Sequence, residues 1–347
     1  MNLFLVILFV VIVVLAFIED YLTAMQKYCI LAVLTVIMIA AAALKDPMAV
    51  ADADAYENMF YNYDNPLIEI STEPTFIYIS RFVLAFGGSL SIVFLIYALI
   101  SVPAKLFIMS KMTPCIFTAL LVYIPVYYEL HDLVQIRAAA ACTFFFMALY
   151  FRVVKRNYLC AACFLIAVLF HYSALAILLV LIIGNRPANK IVRVVMASII
   201  PIGFLMTIMH KDIFSLLPSA MVTGKIELYS NGAFLYDIII PYKNLYFMAK
   251  CLFFCVCLCY YDFIRERVNF FPILMYSQAI SILCMLTMTT IPIIGFRMSE
   301  LFGVIDPLIF SYCLTLIHPK YVGRICVSLL GAFMIVFNML TAQYFNK

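Results

Sequence analysis

An all-α, polytopic membrane fold is predicted by three features of this sequence. Apolar residues make up 67% of the chain and charged residues 12%, whereas soluble domains carry about 25% charge. The mean hydropathy is +1.12. The apolar residues also fall into runs long enough to cross a bilayer, each bounded by charges. The net charge is only +4 and the basic residues are scattered, which gives nucleic-acid binding no support. A single transmembrane domain is expected over 1–347, with extracytoplasmic loops at about 45–86 and 210–243.

The first run, residues 2–18, has neither the basic start nor the cleavage site of a signal peptide and is expected to be the first membrane helix. Further spans are expected at about 28–44, 87–109, 114–130, 133–151, 191–209, 244–261, 270–290, 298–317 and 322–342. The run at 158–184 admits two readings. As one tilted helix it would bury His171, the only charge-bearing side chain between Asn157 and Asn185. If it breaks near His171, the basic clusters at Lys105/Lys111, Arg152/Lys155/Arg156, Arg186/Lys190/Arg193, Arg265/Arg267 and Lys320/Arg324 all face the cytoplasm, and the acidic segment 46–73 faces outward. The charge distribution prefers the break, for about twelve spanning or half-spanning helices. His171 then sits at an extracytoplasmic mouth.

The same topology puts other polar groups on that face. The first outer loop, 46–76, mixes acids, among them Asp54 and Glu73, with aromatics that include Tyr56. Carboxylates that grip hydroxyls beside stacking rings make a carbohydrate surface; a solvated acidic loop has the same composition. D-A-D-A-Y-E-N resembles a calcium loop but lacks its central glycine and closing glutamate. The stretch Y-Y-E-L-H-D-L-V-Q-I-R (127–137) brings Glu129, Asp132 and Gln135 near Arg137. An arginine at that depth faces a cavity or pairs with Asp132 or Glu129. Arg297 and Glu300, in G-F-R-M-S-E (295–300), stand three residues apart and are placed to pair on a helix. The loop at about 210–243 is long enough to act as a lid. The 12 cysteines lie mostly in apolar runs and read as small buried hydrophobes. No nucleotide-binding glycine motif, metal motif or cofactor motif is present.

The ordered motifs D-A-D-A-Y-E-N-M-F, E-P-T-F, Q-I-R-A-A-A-A, F-H-Y-S-A-L and G-F-R-M-S-E-L-F, spread over about 50–310, resemble those of the EpsG family of Wzy-type polysaccharide polymerases. Departures are the order Q-I-R in the arginine motif and Glu300 where an aromatic is common. The resemblance implies a bacterial inner-membrane glycosyltransferase with a GT-C-like architecture. Such an enzyme joins oligosaccharide repeat units carried on undecaprenyl diphosphate, beside a flippase and a chain-length regulator, without a nucleotide sugar.

The chemistry of that transfer needs a cation for the leaving diphosphate, a base for the acceptor hydroxyl and a groove for sugars. Forked arginines suit phosphate oxygens, so Arg137 and Arg297 are the candidate clamp. His171 suits proton abstraction. Tyr56, Glu129, Gln135 and Glu300, with the hydroxyl-ligand or alternative-base carboxylates Asp54, Glu73 and Asp132, complete the candidate set. Direct, inverting displacement without a metal is the expected course. Two other classes share these features: a proton-coupled transporter, with Asp306 among its intramembrane acids, and an O-antigen-ligase-like or acyl transferase on the same face.

Overall fold

The computed structural model describes residues 1–209, 211, 244–288 and 292–342. Apart from Lys211, the expected lid at 210–243 lies outside them. Every regular element among the described residues is helical, and the chain clusters into two compact units, Met1–Leu181 with Phe310–Lys347, and Ile182–Ile309.

The first unit opens with α1 (Asn2–Ile18) and α2 (Ala24–Leu44), the latter started by a capping box between Thr23 and Gln26. Three short helices fill the following loop: α3 (Ala53–Tyr61), α4 (Pro66–Ser71) and α5 (Pro74–Ala85). The long α6 (Leu90–Met112) comes next. The apolar run at 114–130 does not form one α-helix. It begins as α7 (Ile116–Val122) and widens into a π-helical stretch over Tyr123–Asp132. Pro125 lies in that stretch, where it lacks an N–H for the helical ladder, and its carbonyl accepts a hydrogen bond from Asn338 at 2.8 Å. Then come α8 (Ile136–Val153) and α9 (Asn157–Phe170), which pack on each other, and α8 also lies against α6.

At His171 the helix breaks. Its backbone is extended, with φ −158 and ψ 117, and a 3-10 turn over Tyr172–Ile177 leads into α10 (Leu178–Ile183). The second unit holds α11 (Lys190–Ile208), α12 (Leu245–Cys259), α13 (Tyr261–Arg265), α14 (Phe271–Thr287) and α15 (Pro292–Gly303), followed by the start of α16 (Asp306–Ser311). The chain returns to the first unit with α17 (Lys320–Phe337), which packs on α7 and α1. Gly331 permits that approach: a Cβ there would overlap the Leu121 carbonyl oxygen and the Phe9 ring.

The sequence leads to about twelve spanning or half-spanning helices, and helix length separates the two kinds, with five apolar helices of 10–17 residues among the described residues too short to count as full spans. Among the described residues six helices are long and apolar enough to span a membrane, or seven if the pair Ile294–Gly303 and Asp306–Thr315, bent by 46°, is one span. The shorter apolar helices include α9, which ends at the break before His171, and α12 and α14. Side chains such as Val10, Val14, Val33 and Val36 stay exposed on α1 and α2, as lipid-facing positions do.

Candidate active site

Glu73 is the point where three distant parts of the first unit meet. Pro74 follows it as the first residue of α5, and a residue before proline is driven out of the helical region, so Glu73 caps the helix from an extended conformation, φ −65 and ψ 140. Its side chain is 5% exposed. One carboxylate oxygen forms an ion pair with Arg137 Nη1. The other is 2.6 Å from His171 Nδ1 and also accepts the Tyr172 N–H at 3.4 Å. A further bond ties the same elements together, from the Thr75 hydroxyl to the Leu169 carbonyl at 2.8 Å.

Each partner has a local reason to be there. Arg137 lies in the first turn of α8, where the helix dipole disfavours a cation, and Glu73 supplies the compensating charge. Beneath the guanidinium lie the rings of Tyr56 and Phe76, at 5.6 and 5.8 Å from Cζ. His171 is freed from helical geometry by the break that ends α9, and Phe170 beside it stacks on Phe144 and meets Tyr97 edge-on.

The electrostatics follow. Burial works to raise the Glu73 carboxyl, but the hydrogen bond from His171 and the charge of Arg137 outweigh it and hold the carboxyl down to about 2. Glu73 is therefore ionised at neutral pH and is a poor base. An ionised carboxylate only accepts hydrogen bonds, so Nδ1 of His171 must be the protonated nitrogen, and Nε2 of the neutral ring keeps its lone pair. The His171 side chain is 23% exposed and that of Arg137 22%. Arg137 Nε is buried without a hydrogen-bond partner among the described residues. A carboxylate holds a partly exposed imidazole and a partly exposed arginine, an arrangement suited to proton transfer beside an anion.

Other predicted residues go elsewhere. Arg137 pairs with neither Asp132 nor Glu129. Asp132 is 2% exposed and accepts from Lys105 at 2.8 and 3.0 Å, Ser101 at 2.7 Å and Tyr123 at 2.6 Å, which occupies it as a structural ion. Glu129, 3% exposed, accepts from Asn338 at 2.9 Å. Tyr56 is 2% exposed, with its ring beneath the Arg137 guanidinium. Asp54 is exposed on α3, and half-buried Gln135 caps α8. Arg297 and Glu300 lie on α15 in the second unit; no ion pair within 4 Å joins them, and Glu300 Oε2 is buried without a hydrogen-bond partner among the described residues. Asp306 is buried there with Lys250 at 2.8 Å and Tyr246 at 3.0 Å. Among the described residues no group of three His, Cys, Asp or Glu is placed to hold a metal ion.

A model of the EpsG family matches residues 27–347. This chain belongs to the EpsG family. It is a multi-pass membrane protein of a family associated with Wzy-type polysaccharide synthesis at the bacterial inner membrane. No curated protein and no solved structure matches it. Within this EpsG-family chain the matched region contains the whole Glu73, Arg137 and His171 cluster.

Proposed function

We propose that this chain polymerises oligosaccharide repeat units carried on undecaprenyl diphosphate, at the outer face of the cytoplasmic membrane. The observation that carries the reading is the joint grip of Glu73 on Arg137 and His171 in an EpsG-family protein. His171 Nε2 takes the proton of the acceptor hydroxyl. The hydroxyl oxygen attacks the anomeric carbon of the growing chain, the bond from that carbon to the diphosphate oxygen breaks, and undecaprenyl diphosphate departs with its electron pair. Arg137 offers its unspent donors to the diphosphate. Attack opposite the leaving group inverts the anomeric configuration. Glu73 becomes a positioning residue in this scheme, and exposed Asp54 remains a candidate for sugar hydroxyls.

The buried Lys250 and Asp306 pair supports a second reading, a proton-coupled transporter. A strain lacking the protein separates the classes. Accumulated single lipid-linked repeat units on the outer face indicate the polymerase, full-length lipid-linked polymer a ligase, and units trapped on the cytoplasmic face a transporter of them.

A further inference from the structure

Lys45 follows α2 directly and turns its side chain inward. It is 8% exposed, and its Nζ has no hydrogen-bond partner among the described residues. An ammonium buried in this way is costly unless something anionic meets it. The carboxylate that acts on it through space, Asp132, is already held by Lys105, Ser101 and Tyr123. Burial accordingly pulls the Lys45 ammonium down to about 7.

What the ammonium does touch is the Phe94 ring, 4.3 Å from its centroid. Phe94 packs edge-on against Tyr56 at 5.4 Å, and Tyr56 packs on Phe76 at 5.7 Å. Those last two rings are the ones beneath Arg137. Two cations therefore touch one cluster of packed aromatic rings, Lys45 at Phe94 and Arg137 at Tyr56 and Phe76. Each keeps donors that the described residues do not use. Glu73 already neutralises much of the charge of Arg137, so a diphosphate, with its several negative charges, needs a second cation at this site.

We propose that Lys45 is that second cation, holding one phosphate of the lipid diphosphate while Arg137 holds the other. The assignment rests on the polymerase reading and deepens it. A compact ammonium suits a single non-bridging oxygen, where the forked guanidinium suits two. The lysine is kept unpaired, at a cost to stability, for the moment the anion arrives.

The test uses the purified full chain with two probes, geranylgeranyl diphosphate and geranylgeranyl monophosphate, reading affinity and thermal unfolding. The wild type prefers the diphosphate. Loss of a charge-assisted bond in Lys45→Met weakens diphosphate binding by about ten- to a hundredfold, leaves monophosphate binding much less affected, and does not lower the melting temperature, because an unpaired buried charge gives way to an apolar chain of similar length. Lys45→Arg keeps part of the preference. Wild-type diphosphate affinity in Lys45→Met overturns the assignment while leaving the polymerase reading intact. A lowered melting temperature with equal loss of both probes also overturns it and makes Lys45 structural. Failure of the wild type to bind either probe removes the polymerase reading and this proposal together.

Discussion

Replacing Glu73 with glutamine keeps the shape of the side chain and removes its charge, so it isolates what the carboxylate does. Its fall from the ordinary 4.5 to about 2 corresponds to about 3 kcal/mol of preference for the ionised form, at about 1.4 kcal/mol per unit. With 5% of the side chain exposed, solvent screening takes little from that figure. Glu73→Gln therefore destabilises the protein by about 3 kcal/mol, because it leaves the charge of Arg137 uncompensated. The amide also accepts or donates with equal ease, so His171 is no longer held with its proton on Nδ1. Turnover falls by the whole general-base contribution, about 10²–10⁴-fold. Thermal unfolding of the purified variant and its rate of chain extension are the two readings. A variant with wild-type melting and wild-type rate refutes the clamp; lowered melting with a full rate confines Glu73 to structure and removes His171 from the chemistry. The sign with pH is fixed by the same depression. The carboxylate's contribution is fully present above its ordinary value of 4.5 and is lost as pH falls toward about 2, so in an acid melt the wild type loses more stability across that window than Glu73→Gln does.

Three other outcomes follow from the geometry. His171→Gln keeps a hydrogen bond to Glu73 but cannot accept the acceptor's proton, so extension drops about 10²–10⁴-fold while prenyl diphosphate binding persists; near-normal extension refutes the base. Gly331→Ala forces α17 off the Leu121 carbonyl and costs about 1–3 kcal/mol, read as a lower melting temperature, and unchanged melting refutes the close approach. A cysteine at Asn189, in a background without native cysteines, resists an impermeant maleimide added to intact cells, and ready labelling places residues 185–193 outside.

The parts legible in the sequence were those set by local composition. Apolar runs and their flanking charges pointed to an all-helical membrane chain, and the distribution of the basic clusters favoured a break near His171, where the structure ends α9. Hydropathy did not reveal the π-helical stretch or the 3-10 turn, because it reports apolar content and not the backbone hydrogen-bond pattern. The candidate site was half legible. Arg137 and His171 stood out as ionisable groups in apolar surroundings, yet their common partner, Glu73, lies 64 and 98 residues away along the chain among six other acids of a loop. Asp132 was drawn to the nearby Arg137 by proximity in sequence, but Lys105, 27 residues earlier, reaches it instead. Lys45 gave no signal at all. A lysine at the end of an apolar helix ordinarily snorkels into the interface, and only its buried, unpartnered Nζ distinguishes it.

The most direct test of the central claim is incubation of the purified wild-type chain with undecaprenyl-diphosphate-linked repeat units, resolving the products by length. A ladder spaced by one repeat unit, lost in the His171→Gln protein, is the result the Glu73, Arg137 and His171 arrangement predicts. Repeat units recovered unextended from a folded wild-type protein that binds the lipid diphosphate would contradict it.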